Sequence, residues 1–365
     1  MSTERFVSGA ADRSRTVTQF SLVLVVCPMR AATFTGIDGP DDVTVQETAA
    51  PTPESGEVVV DVAACSINRH DLWILEGDSA MVDTDDLPFV SGLDVAGRVA
   101  ETGADVDSVS VGDRVVLCPN QTCGVCRYCR EGPENLCEQF SLYHGGLAEQ
   151  ALVEVDRLVT LPDSVDFTDA AALPTAYMTA YHMLRRTDVG ANDLVFIPGA
   201  TGGVGVAGVQ LVDALGGRSI GTTTSSAKAD RLTEIGADHV VESSDPDEIQ
   251  ETATEIGEAD AVLHHLGGEY TKLGLKLLRR GGRMAVCGRT AGGTSEINIP
   301  RLFLGHKHVI GSTMGTQPDL ETLVGLTADG TLDPIIGDEY TLDETGQAFA
   351  DMQSRDAFGK LVIQP

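Results

Sequence analysis

The segment that most limits the fold runs from Asp193 to Gly205. Four apolar residues, Leu194 to Ile197, lead through Pro198 into Gly199-Ala200-Thr201-Gly202-Gly203-Val204-Gly205, and a helix-forming stretch begins near Gly203. A buried strand, a glycine-rich turn and a helix in that order let backbone amides approach a pyrophosphate at the helix N-terminus, where unpaired N–H groups and the dipole favour negative charge. Context raises this above a simple tight turn. Asp166 opens a helical stretch, DFTDAAALPTAYMTAYHML, and strands then alternate with helices: LVFI, VAGVQLVDALG, RSIGTT, KADRLTEIGA, HVVES, a helix near 247 to 256, DAVLHHL, TKLGLKLLRRGG and RMAVCG. That alternation dictates βαβ units and a parallel sheet with helices on both faces.

Residues 30 to 160 follow a different pattern. Short strands such as ATFTG, VTVQE, GEVVVDVAAC, AGRVAETG, GDRVVL and AEQALVEV are separated by Gly, Pro and Asp, which predicts a compact antiparallel barrel or sandwich. The fold class is therefore α/β, a small β-barrel domain joined to a doubly wound parallel sheet. The expected units are an extension over 1–28, a barrel domain over 29–160, a dinucleotide-binding domain over 161–315 and a C-terminal segment over 316–365.

The strand after the glycines decides which dinucleotide fits. An NAD site usually ends this strand with a carboxylate that accepts from the ribose 2′-OH. Here Gly221-Thr222-Thr223-Thr224-Ser225-Ser226-Ala227-Lys228 carries no acid before Asp230. Hydroxyls and a cation suit a 2′-phosphate, so NADPH is expected, with NADH the alternative, and with Thr223, Ser225, Ser226, Lys228 and Arg231 around the phosphate. The plainer reading of the same residues is a Ser/Thr-rich N-cap.

Cys123, Cys126, Cys129 and Cys137 form a C-x2-C-x2-C-x7-C cluster with Gly and Pro to bend the backbone. Four thiolates within fifteen residues can close a tetrahedral site around Zn²⁺ and leave no open position for water, so one structural zinc is expected. An iron–sulfur cluster is the competing reading. The tight clustering, unlike a disulfide framework, points to a reducing compartment, the cytoplasm.

Composition narrows the partners. Against 55 Asp+Glu stand 25 Lys+Arg, a formal net charge of -30, and only five of the basic residues are Lys (228, 272, 276, 307, 360). Such a surface repels nucleic acid. It resembles proteins of salt-loving organisms, whose self-repulsion is screened within about 3 Å at 1 M salt. With 42% hydrophobic residues the chain is too apolar for a disordered acidic tail. No run of 18 apolar residues exists, so no membrane partner is expected. The closest approach, the eight-residue FSLVLVVC at Phe20–Cys27, could pass for a short signal core but lacks small residues at the cleavage positions, and residues 1–28 read as a disordered or misassigned extension.

Together these motifs resemble the medium-chain dehydrogenase/reductase superfamily, which holds zinc alcohol dehydrogenases and quinone oxidoreductases. The resemblance runs from Met29 to the C-terminus through the cysteine lobe, Gly145-Gly146-Leu147-Ala148-Glu149, the DAAALPTAYMTAYHML helix, the glycine turn, Gly281-Gly282-Arg283 and Phe358-Gly359-Lys360-Leu361-Val362. It implies a GroES-like barrel, closed by the last strands, cradling a Rossmann domain, with a small-molecule substrate in the cleft between them and a homodimer or homotetramer as the assembly. His264-His265 ends a strand, where ligands bind in open α/β sheets, so one of the two, His265, is expected to border the nicotinamide; the resemblance implies that Gly288, Ser312, Thr313 and Met314 lie there too and that Lys360 belongs to the cofactor site.

The family's catalytic zinc takes a Cys in a C-x-x-D pattern, a His in G-H-E and a Cys before the T-x-Y element. The matching positions here are Asn68, Leu93 and Thr175. All three ligands are missing, and Asp94 alone cannot hold an ion, so no catalytic metal is expected. A Lewis-acid metal stabilises a developing alkoxide by several kcal/mol, each ~1.36 kcal/mol being a tenfold change in rate. Quinones and conjugated carbonyls need this less, because added hydride leaves a delocalised enolate or phenolate that hydrogen bonds can support. The expected enzyme is an NADPH-dependent quinone or conjugated-carbonyl reductase, with Asn68 and Thr175 as donors to the substrate oxygen and His70 as proton source. His70 beside Asp71 also reads as a structural pair. Tyr177, Trp73, Cys65 and Cys287 read as packing, and His144 has no assignment. The alternatives are an alcohol dehydrogenase, or an NADPH-binding redox sensor without turnover.

Overall fold

Alternation of apolar residues shapes the first half of the computed structural model, which describes residues 28–365; the expectations for residues 1–27 lie outside them. In the strand Glu57–Ser66, Val58, Val59 and Val60 are buried while Asp61 faces out. This strand is the centre of a seven-stranded sheet. It pairs antiparallel with Asp94–Thr102, with Gln150–Glu154 and with the C-terminal strand Lys360–Gln364. Arg114–Leu117 and Leu158–Thr160 extend the sheet on one side and Ile336–Thr341 on the other. Pro28–Phe34, Val43–Ala49 and Phe89–Val90 form a smaller sheet beside it. The enclosed core contains Phe34, Leu72, Val95, Phe349 and Ile363. Phe34 and Phe349 meet edge to face at 5.5 Å, and residues of this size contribute about 1.5–3 kcal/mol each through burial.

In chain order the strands of the second sheet are β1 (Leu194–Ile197), β2 (Arg218–Thr223), β3 (His239–Glu242), β4 (Ala259–His264), β5 (Leu278–Val286) and β6 (His308–Gly311). Their spatial order is 3-2-1-4-5-6 and every pairing is parallel. This is the dinucleotide-binding arrangement, in which ligands sit outside the carboxyl ends of the strands where the order reverses. All four residues of β1 are buried, as a strand covered on both faces requires. The Arg279-Arg280-Gly281-Gly282 stretch, expected at a helix end, instead opens β5, after the helix Glu269–Leu277 has stopped.

The helical stretch after Asp166 is not one regular helix. Phe167–Ala172 is α-helical, Leu173–Tyr177 makes a π-helical turn, and Met178–Arg186 resumes the α-helix. Pro174 has no N–H to give and its ring would collide with the carbonyl four residues back, so the ladder widens there. The extra residue re-aims Thr175 towards the barrel. Tyr177 is fully buried; its hydroxyl donates to Gln210 and accepts from the backbone of Ile335, which is a packing role.

Candidate active site

The strand Lys360–Gln364 brings the two halves together at one point. Val362 and Ile363 pair with Ser66 and Cys65 of the barrel, while Gly359 lies beside Gly202 of the glycine turn, its N–H donating 3.0 Å to the Thr201 carbonyl. Lys360 follows directly. Its side chain crosses beneath the turn, so that a Cβ on Gly203 would lie 2.9 Å from Lys360 Cδ. Its ammonium, 3% exposed, ends in the barrel. There it donates to the carbonyl of Ile67 at 3.0 Å and to Asn68 Oδ1 at 2.6 Å, and meets Asp94 Oδ2 at 3.3 Å.

Asp94 is the centre of this cluster. It has no exposed surface; Asn68 Nδ2 donates to Oδ2 at 2.8 Å and Thr175 Oγ1 to Oδ1 at 2.5 Å, while the one proton of Ser66 Oγ is shared between Oδ2 at 2.8 Å and the Ala171 carbonyl at 2.7 Å. A buried carboxylate is tolerated only when it is paired and hydrogen-bonded, and four donors meet that condition. The consequence for Asn68 and Thr175 is direct: the N–H and O–H groups expected to face substrate point at Asp94. Sequence reasoning considered Asp94 only as a metal ligand and did not single out Ser66. Leu93, one of the three positions where a metal ligand would stand, is buried in the apolar core.

His70 lies in the first turn of the helix Arg69–Leu75, two residues from Asn68. It does not hydrogen-bond Asp71, whose oxygens accept from the Asn68 backbone, Ser91 Oγ and the Gly92 backbone. Asp71 thus caps the helix and fastens the loop before Asp94. His70 Nε2 is buried with no partner, and burial pushes the ring's pKa below its ordinary value. Its ring lies 5.5 Å from that of His144, which packs edge-on against Phe89 at 4.9 Å and is pushed down to about 4 by burial.

The glycine turn meets the requirements of a dinucleotide phosphate. Gly199 has φ of +67°, in the left-handed region that favours glycine, and a Cβ on Gly205 would lie 2.6 Å from Ala200 backbone atoms. Gly202 faces open space, with nothing within 4 Å of an added Cβ, and the helix Gly203–Ala214 has no side-chain cap. Its first intrahelical bond is Val206 N–H to Gly202, so the amides of Gly203, Val204 and Gly205 remain for an anion. Ala200 and Thr201 complete the turn, Ala200 N–H donating to the Thr222 carbonyl at the end of β2. His265 follows β4; its Cε1 lies 3.5 Å from a Cβ on Gly199, and its Nε2 is buried without a partner. Gly288 packs so closely on His265 that a Cβ would come within 2.1 Å of the His265 carbonyl. Ser312 bonds through its N–H to Val286 at the end of β5, and Thr313 and Met314 follow.

At the end of β2, Thr223 Oγ1 accepts from the Ser225 N–H at 3.3 Å, and Ser226 opens the helix Ser226–Glu234. On that helix, Lys228 Nζ donates to the carbonyls of Arg355 and Ala357, leaving one N–H, and the Arg231 guanidinium lies 4.0 Å over the Phe358 ring.

The four cysteine sulfurs lie within 4.8 Å of one another. Cys123 and Cys129 are 3.9 Å apart and Cys126 and Cys129 3.5 Å, against about 3.8 Å for a tetrahedron with Zn–S bonds of about 2.3 Å. The N–H groups of Glu138 and Cys129 draw the Cys126 thiol down to about 6, favouring the thiolate a metal needs. The cluster fits a structural zinc. Among the described residues no other group of three His, Cys, Asp or Glu side chains converges in this way. Cys65 is fully buried, and burial pushes Cys287 up to about 12, which suits packing rather than nucleophilic chemistry.

Comparison with known proteins agrees with this geometry. Residues 54–163 match the alcohol dehydrogenase GroES-like domain and residues 203–329 the zinc-binding dehydrogenase domain. An acryloyl-coenzyme A reductase of Metallosphaera sedula is 30% identical over 87% of this chain and 95% of its own length. The chain belongs to the medium-chain dehydrogenase/reductase superfamily. A quinone oxidoreductase of Sus scrofa is 30% identical over 89% of this chain and 94% of its own. The structure of a thermostable alcohol dehydrogenase from Pyrobaculum aerophilum superimposes with a TM-score of 0.84 at 32% identity, covering 93% of this chain and all of that one.

Membership establishes an NAD(P)H-dependent oxidoreductase of small molecules with a GroES-like domain and a Rossmann domain. Within the superfamily the three relatives differ in acceptor, so family alone does not choose among them. No described helix is long and apolar enough to cross a membrane.

Proposed function

We propose that this chain transfers hydride from NADPH to a quinone or another conjugated carbonyl, with no metal ion at the reacting centre. The observation that carries the reading is the Asp94 cluster. Where a catalytic zinc would need Cys, His and Cys, the chain presents Asn68, Leu93 and Thr175, and the one carboxylate present is neutralised by Lys360 and held by Ser66, Asn68 and Thr175. A second cation there would meet an ammonium in place of ligand lone pairs.

The balance is NADPH, a proton and a conjugated acceptor giving NADP⁺ and the reduced acceptor. The bound dinucleotide supplies the hydride. Without a Lewis acid the residues can support charge spread over an enolate or phenolate far better than a localised alkoxide. His70 is the side chain left to hydrogen-bond the reacting oxygen, the proton itself coming from water, since its Nε2 is buried and uncommitted while Asn68 and Thr175 are engaged. It is neutral at pH 7, so it acts through an N–H hydrogen bond rather than an imidazolium charge. The names of two relatives, a reductase of acryloyl-coenzyme A and a quinone oxidoreductase, describe acceptors of this conjugated type.

NADPH preference rests on β2 ending in Thr223 with no carboxylate, and on Ser225, Ser226, Lys228 and Arg231 following it. The test is NADPH oxidation in molar KCl over quinones, enones, enoyl thioesters, saturated aldehydes and ketones. The reading expects turnover of the conjugated acceptors at least a hundredfold above the saturated ones. Chelator-sensitive oxidation of simple alcohols would replace it with a zinc alcohol dehydrogenase, and dinucleotide binding with no turnover across the panel with a sensor.

A further inference from the structure

The cysteine lobe grips one turn of the Rossmann half. The turn, Thr313–Gln317, follows β6 at the carboxyl edge of the sheet, where a dinucleotide binds. Three hydrogen bonds reach it from residues flanking the cysteines. Asn120 Nδ2 donates to the Gly315 carbonyl and Asn135 Nδ2 to the Thr313 carbonyl, both at 2.8 Å, and the Gln317 N–H donates to Glu134 Oε1 at 2.6 Å. Glu134 and Asn135 lie between the last two cysteines, Cys129 and Cys137, and Asn120 lies three residues before the first, Cys123.

The grip is backed by a buried chain of partners. Asn135 Nδ2, which can only donate, lies 3.2 Å from His182 Nε2, so that nitrogen accepts and Nδ1–H donates 2.9 Å to Asp319 Oδ2. Asp319 also pairs with Arg185 and accepts the Thr316 N–H at 2.9 Å, capping the helix Gln317–Ala328. Within the turn Met314 has φ of +50°, a backbone state that a non-glycine residue keeps only when its surroundings hold it there. Ser312 Oγ, just before it, is buried without a partner, a hydroxyl left for a ligand.

We propose that Asn120, Glu134 and Asn135 are positioning residues through which the four-cysteine lobe sets the Thr313–Gln317 turn, so that loading of the cysteines with metal tunes dinucleotide affinity as well as stability. The proposal rests on the reading that a dinucleotide occupies the carboxyl edge of the sheet, and is independent of which acceptor is reduced.

The experiment titrates NADH and NADPH against the zinc-loaded full chain by nicotinamide fluorescence, without acceptor, and records zinc content and cofactor-free melting temperature alongside. Asn135→Ala is expected to weaken both dinucleotides about tenfold and equally, because the contact lies at the nicotinamide end. Glu134→Ala should weaken both about threefold, while Glu134→Gln, which keeps the acceptor oxygen, restores wild-type affinity. Glu131→Ala, elsewhere on the lobe, should change nothing, and stripping the zinc from wild type should reproduce the loss. Affinities within twofold of wild type in both Ala variants, with zinc retained, overturn the proposal, and so does an equal loss in Glu131→Ala. If Asn135→Ala does not fold, the Glu134 pair decides alone. A wild type that binds neither dinucleotide overturns the underlying reading as well.

Discussion

Lys360 Nζ and Asp94 Oδ2 lie 3.3 Å apart, joining the last strand of the chain to the centre of the barrel, and neither side chain is more than 3% exposed. Removing one partner leaves the other charge buried and uncompensated, at a cost of about 3–5 kcal/mol. Lys360→Met should therefore destabilise the protein by that order in denaturant unfolding at fixed KCl. Asp94→Asn combined with Lys360→Met should recover more than half of the loss. Additive losses would show that the two residues are not a pair in solution.

Lys228 is expected to discriminate between dinucleotides. A hydrogen bond to a charged group contributes about 1.5–3 kcal/mol, so Lys228→Ala should weaken NADPH by tenfold or more and leave NADH within twofold. Equal affinity of the wild type for both would remove the 2′-phosphate assignment.

Much of this was legible in sequence, and what was not has a physical reason. The glycine turn and cysteine lobe were visible because their partners are adjacent in sequence, and local spacing then reports geometry. Asn68 and Thr175 were found as positions, but the direction of their donors was not, because Asp94 collects them from separations of 26 and 81 residues. Lys360 was assigned to the cofactor site. It passes under Gly203 and commits its ammonium to Asn68, Asp94 and the Ile67 carbonyl. One signal was available. In a chain that uses Arg for twenty of its 25 cations, a Lys opening the apolar strand KLVI is a choice for a compact point charge over a planar fork. The π-helical turn at Pro174 was hidden because its flanks both read as helix.

Acid should weaken the fold in a defined window. Burial holds His144, His264 and His265 at about 4, below the ordinary 6.5, so the unfolded chain binds more protons than the folded one between those values. Their contribution is fully present above about pH 6.5 and is lost progressively as pH falls to about 4. Asp319 acts lower still. Burial pushes its carboxyl up, but hydrogen bonds from His182, Thr316 and Arg185 together bring it to about 2, so its contribution is present above about pH 4 and lost towards pH 2. Melting temperature at constant KCl should be flat from pH 7 to 8 and decline below 6.5. A maximum near pH 4 would contradict these assignments.

Salt should raise stability. With 55 acidic and 25 basic residues, self-repulsion outweighs pairing, and the Debye length shrinks from about 10 Å at 0.1 M to about 3 Å at 1 M. The unfolding midpoint is expected to rise steadily between 0.1 M and 2 M KCl. A flat titration would mean that the surface charge does not limit folding.

The most direct test of the central claim is metal content per chain, by elemental analysis, of a preparation shown to reduce a conjugated acceptor with NADPH. The account predicts one zinc per active chain, and none once Cys123 and Cys126 are replaced by Ser. Two zinc ions per chain, with one surviving those replacements and lost on Asp94→Ala, would place a metal at the reacting centre and contradict it.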